Sequence, residues 1–86
     1  MIKGVTKSGF LYKFSKERLN NYELLEELGE LEESPMALSK VVNLLLGKEQ
    51  AKKLKEHVRG KDGLVSTEKI SAEIKEIFEN QNETKN

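Results

Sequence analysis

The sequence predicts a mainly α-helical fold: a small single domain of about four short helices with an N-terminal β-hairpin. Three observations lead there. Apolar residues recur every three or four positions from about residue 20 to residue 79, the period of a helix face. Cap and turn residues fall between those stripes, at Asn20-Asn21, Ser34-Pro35, Gly47, Gly60 and Ser66. Only the first fifteen residues alternate with a period of two. At 86 residues the chain is long enough for one domain. We assign it to residues 1–79, with the hairpin at about 3–14 and residues 80–86 as a disordered tail.

The hairpin is read from Ser8-Gly9, a turn dipeptide between Val5-Thr6 and the run Phe10-Leu11-Tyr12-Lys13-Phe14. Phe10, Tyr12 and Phe14 alternate, so their rings point to one face. An isolated hairpin is marginal in water, so this one must pack on the helices or pair its edge with another chain. Phe10, Tyr12 and Phe14 are thus core candidates and also candidates for self-association by β-augmentation.

Helix one is expected to start at Asn20 or Asn21, with Asn20 and Glu23 in the spacing of a capping box. Its stripe is Tyr22, Leu25, Leu28 and Leu31, widened by Leu24; Gly29 weakens it or admits another backbone. Helix two opens with Ser34 as N-cap and Pro35 at the first helical position. It carries Met36, Leu38, Val41, Val42 and Leu44-Leu45-Leu46, and ends at Gly47. Three consecutive leucines cannot face one direction, so the helix is buried on most sides or meets a partner. Helix three, from about Lys48 to Arg59, has the narrow stripe Ala51, Leu54, Val58, with Gly60 as its cap. Helix four follows an Asp62-Gly63 turn. Ser66 is its N-cap, Val65 and Ile70 its hydrophobic staple, Glu68 its first-turn acid, and Ile70, Ile74, Ile77 and Phe78 its stripe.

Composition narrows the function classes. With 36% hydrophobic and 35% charged residues, the chain suits thin amphipathic helices better than a thick core. There is no cysteine, which excludes disulfides and thiolate metal sites. No apolar run approaches the roughly 20 residues that cross a bilayer, and Met1 to Val5 lacks the apolar stretch of a secretory signal. The expectation is an intracellular, cytoplasmic protein with no membrane partner. Fifteen basic residues balance fifteen acidic ones, against nucleic-acid binding. The charges instead form blocks: Lys3, Lys7, Lys13 and Lys16; then Glu17 to Glu33 with Arg18 alone opposing; then Lys48 to Lys61, mostly basic; then an acidic end from Glu68. Such blocks are ordinary solvated helix faces or steer a partner or a second copy.

No constellation carries chemistry. His57 is alone, without the further ligands a zinc site needs. The serines fall largely at turns and caps, and no phosphate-cradling glycine loop is present. Asp62-Gly63-Leu64-Val65 superficially resembles a calcium loop. With Gly63 at loop position six, however, Val58, Gly60 and Lys69 occupy ligand positions that require carboxylates. Glu26-Glu27 and Glu32-Glu33 have no second catalytic group nearby and read as a solvated face. Helices three and four suggest a helix-turn-helix, but Glu68, Glu73, Glu76 and Glu79 on the recognition helix would repel phosphate. We expect no enzyme, no cofactor, no metal and no small-molecule substrate.

The order of segments does resemble a family. Asn21-Tyr22-Glu23-Leu24-Leu25-Glu26, then Pro35-Met36-Ala37-Leu38, then Val41 to Gln50, then Leu54 to Arg59, Asp62 to Val65 and Glu76-Ile77-Phe78-Glu79 together resemble the tail assembly chaperones of long-tailed phages and prophages of Gram-positive bacteria, over about residues 10–79. The resemblance implies a non-catalytic protein that holds the tape measure protein soluble and assists tail tube assembly. It also implies self-association, residence in the bacterial host cytoplasm and absence from the mature virion; in this family a frameshift commonly appends a second domain that contacts the tail tube protein. The partner-binding candidates are apolar positions from the stripes: Leu44, Leu45, Leu46, Ile74 and Phe78, with Leu45 or Leu46 expected to be partly exposed. A small DNA-binding regulatory protein of a phage or prophage is the alternative, and a small subunit of a larger complex is a third reading.

Overall fold

β1 (Ile2–Val5) and β2 (Leu11–Phe14) pair antiparallel, with Ile2 opposite Phe14 and Gly4 opposite Tyr12. The turn between them runs through Gly9 at φ 95°, and the Gly9 N–H donates to the Thr6 carbonyl (2.9 Å). A left-handed backbone there suits glycine, which is why Ser8-Gly9 marks the turn. A computed structural model describes the backbone through Glu83 and side chains through Gln81. Its helices are α1 (Lys16–Leu19), α2 (Tyr22–Leu31), α3 (Ala37–Val58) and α4 (Thr67–Glu83). The mainly helical domain with an N-terminal hairpin is therefore as the sequence predicts. The expected helices two and three are the two halves of α3, and the single turn of α1 is additional.

α3 is the centre of the molecule, with α2, α1, β2 and α4 packed on it. It breaks at Gly47 (φ 82°, ψ 162°), a backbone region essentially confined to glycine. Breaking a helix orphans carbonyls at the end of its first half. Arg18 Nη1 donates to the Leu44 carbonyl (2.9 Å), and Gln50 Nε2 to that of Leu46 (2.8 Å). The start is gentler than the expected Ser34 cap. The Ala37 and Leu38 N–H groups donate to the carbonyls of Ser34 and Pro35, so a turn precedes the helix proper.

Two other boundaries differ in detail. Asn21, not Asn20, caps α2, its Oδ1 accepting from the Glu23 N–H (3.0 Å). Gly60 is not a left-handed cap; α3 ends because Arg59 turns extended and bridges Val65, while Gly63 takes the positive φ of the Asp62-Gly63 turn. Arg59 also pairs with Glu56 (2.6 Å), and its hydrogen bond holds the Glu56 carboxyl below the usual carboxylate range. Ser66 caps α4 as expected, accepting from the Lys69 N–H (3.3 Å). α4 continues through Asn80 to Glu83, into the stretch assigned to the tail; residues 84–86 lie outside the described residues.

The core is one cluster. Phe10, Tyr12 and Phe14 from β2 and its approach meet Leu24, then Leu38, Val41, Val42, Leu45, Leu46, Ala51, Leu54 and Val58 of α3, and Ile70, Ile74 and Ile77 of α4. Tyr12 and Phe14 stack at 5.8 Å, and the Tyr12 phenol covers Gly4, where any Cβ would overlap it. Tyr12 Oη accepts from Asn80 Nδ2 (3.0 Å), which ties the hairpin to the end of α4.

Candidate partner-binding surfaces

The structure corrects the expected exposure of Leu45 or Leu46. Leu45 and Leu46 are 0% and 3% exposed, so neither presents a surface. α3 has packed elements on several sides, and both leucines are among its buried positions while Leu44 stays half-buried beside Arg18. Ile74 is buried, and Phe78 is half-buried against the core. Phe10, Tyr12 and Phe14 are likewise core residues, 3–5% exposed, with their rings on the face laid against the helices. The hairpin pays for its marginal stability by laying that face on the helices.

The edges of the hairpin differ from its face. Lys13 donates its N–H to Gln50 Oε1 (2.8 Å), and its carbonyl accepts from Gln50 Nε2. The Gln50 amide thus stands where a third strand would bond β2. The Thr6 N–H donates to the Phe10 carbonyl, so the ladder bonds lie on the even-numbered pairs. Lys3 and Val5 therefore turn their backbone groups outward from β1. Val5 and Leu11 sit opposite one another on the solvent face, both exposed.

α2 also sits differently from its expected stripe. Leu24 is buried, Leu28 and Leu31 are half-buried, and Tyr22 and Leu25 are 70% and 63% exposed. Positions 22, 25, 28 and 24, 28, 31 both follow helical spacing; packing on α3 selects the second set. Tyr22, Leu25 and Gly29 consequently form an outward stripe, with open space around Gly29.

Two open-sided grooves lie between helices. The first, ≈ 510 Å³, has Leu38, Val42, Ala51 and Ile70 in its floor, Met36 exposed at its rim, and Lys48, Lys52 and Lys55 along one wall. Its lining comes from both halves of α3, on either side of the Gly47 kink, and from the start of α4. The second, ≈ 380 Å³, lies between α2 and α4 and is lined by Leu28, Leu31, Ile74 and Phe78, with Lys75 and Glu79 beside it. Two predicted contact residues, Ile74 and Phe78, come together here; Leu44 is not among its lining residues.

One cluster escaped sequence reading. Thr6 Oγ1 donates to Glu73 Oε1 (2.7 Å), Ser8 Oγ donates to Glu73 Oε2 (2.9 Å), and His57 Nε2 lies 3.0 Å from Ser8 Oγ. The Lys7 N–H donates to Glu76 Oε2 (2.7 Å). Glu73 is 7% exposed, so the acid expected on a solvent face of α4 is buried under the hairpin turn. A nucleophilic relay needs the histidine to accept the serine proton and the acid to orient the histidine. Here the Ser8 hydroxyl donates its hydrogen bond to the Glu73 carboxylate, and His57 Nε2 is left to donate to Ser8. The cluster is a polar clasp that fixes the turn to α3 and α4. No local signal reveals it, because Thr6 and Glu73 are 67 positions apart.

Among the described residues no group of three or more His, Cys, Asp or Glu side chains is placed to hold a metal ion. Among the described residues no helix is long and apolar enough to cross a membrane. Compared with family models, curated proteins and solved structures, the chain finds no match.

Proposed function

We propose that this protein is a tail assembly chaperone of a long-tailed phage or prophage, a non-catalytic binder that keeps the tape measure protein soluble and assists tail tube assembly in the host cytoplasm. The segment order supports this reading, and one structural observation carries its physical side: the open apolar groove between α2 and α4, walled by Leu28, Leu31, Ile74 and Phe78. A long helical client exposes apolar stripes before it assembles. A shallow groove between two amphipathic helices, with Lys75 and Glu79 at its margin, accepts such a stripe as a helix laid in a groove. Half-buried Phe78 is the anchor, because large aromatic side chains dominate such contacts.

Co-expression with the tape measure protein from the same gene cluster tests the reading. Soluble recovery of an otherwise insoluble client is expected from the native chain, and a clear loss of that recovery from Phe78→Ser, provided the variant keeps its native circular dichroism. A client equally insoluble with and without the native chain refutes the function; full recovery with folded Phe78→Ser refutes the groove.

A further inference from the structure

The two edges of the hairpin are unequal. On β2 the Gln50 amide takes both backbone groups of Lys13. On β1 the outward N–H and carbonyl groups of Lys3 and Val5 have no hydrogen-bond partner among the described residues. Such a row of free backbone groups is a template for a further strand. The side chains beside it add a chemical preference. Lys3 lies directly opposite Lys13 in a non-hydrogen-bonded pair, the kind in which side chains stand closest. Like charges so placed repel. Neither lysine makes an ion pair among the described residues, and residues 1–16 contain no acid. Next to them on the same face, Val5 and Leu11 form an exposed apolar pair.

We propose that the β1 edge receives an extended acidic segment of a different protein as a third strand. Its backbone bonds the free groups of Lys3 and Val5. On the solvent face it sets an acid beside Lys3 and, two positions along, an apolar residue beside Val5, because side chains on one face of a strand recur at every second residue. The acid relieves the repulsion between Lys3 and Lys13, and the apolar residue covers Val5. β1 of a second copy would bring Lys3 and no acid, so charge favours a foreign strand. None of Lys3, Val5, Leu11 and Lys13 lines either groove, and the contact rests on no part of the tail reading.

Fluorescence anisotropy on the full chain at low salt tests it with two labelled peptides. One repeats Glu-Thr-Val-Thr, which puts Glu and Val on one face; the other has Lys for every Glu. The native chain is expected to bind the acidic peptide roughly tenfold more tightly than the basic one. Lys3→Glu should erase that preference without lowering thermal stability, since it sets opposite charges across the pair with Lys13. Val5→Pro removes an outward N–H and no ladder bond, and should bind the acidic peptide roughly tenfold more weakly. Amide hydrogen exchange fixes the position. The acidic peptide should slow exchange at Lys3 and Val5 and leave Gly4, already bonded to β2, unchanged. A native chain that binds neither peptide, or both equally, overturns the proposal. So does undiminished binding of the acidic peptide in either variant that keeps its native circular dichroism, or slowed exchange confined to other positions. Slowing at Lys3 and Val5 that grows with protein concentration and needs no peptide would give the edge to a second copy, and overturns it too.

Discussion

Thr6→Val replaces a buried side chain with one of the same shape and greater hydrophobicity, and it should nonetheless be among the most damaging single changes in the molecule. Thr6 is 3% exposed; its hydroxyl donates to the Glu73 carboxylate at 2.7 Å and accepts from the Phe10 N–H at 3.1 Å. Losing a hydrogen bond to a charged group costs about 1.5–3 kcal/mol, and an orphaned buried N–H about 1–3 kcal/mol. Allowing for local relaxation, the loss is about 3 kcal/mol, against about 4–13 kcal/mol for a whole domain of this size. Thr6→Ser keeps both bonds and gives up one methyl, about 1 kcal/mol. Urea unfolding followed by circular dichroism should therefore rank native above Ser above Val. With a slope of about 1.2 kcal/mol/M, the Val midpoint falls by about 2.5 M. Adding Glu73→Met to Thr6→Val should cost less than the two single losses combined, since the stranded carboxylate is gone. A Thr6→Val midpoint at or above that of Thr6→Ser would refute the clasp as a stabilising element.

Gly47→Ala should lower the unfolding free energy by about 1–3 kcal/mol, because φ 82° with ψ 162° is strained for any side chain and its Cβ would press on the Arg18 guanidinium; Gly29→Ala, helical and open, should instead be neutral or stabilising in the same measurement. Gln50→Ala removes the amide from the β2 edge and should cost about 1–3 kcal/mol in urea unfolding. It should also raise thioflavin-positive aggregation on mild heating, as an uncapped strand edge recruits others; unchanged aggregation would mean that Gln50 does not guard the edge.

Much of this fold is legible locally. Gly9 and Gly63 take the positive φ that their turns require, Asn21 and Ser66 accept from the first turns they precede, and Gly47 interrupts α3 where the glycine predicted a stop. The candidate contact residues were less legible. Leu45 and Leu46 look available because three successive leucines overfill one helix face, yet packing on several sides of α3 absorbs both. Tyr22 and Leu25 look like core because they share a helical stripe with Leu28 and Leu31, yet α2 turns its Leu24, Leu28 and Leu31 side inward and leaves both exposed.

The sequence by itself determined the element types, most boundaries and the absence of cysteine chemistry, because propensity, caps and turns act over a few residues. Which apolar stripe faces inward, which strand edge is covered and where Glu73 goes were decided only by tertiary structure. Each depends on groups far apart in the chain, such as Thr6 with Glu73 and Lys13 with Gln50, whose meeting is a property of the packed whole.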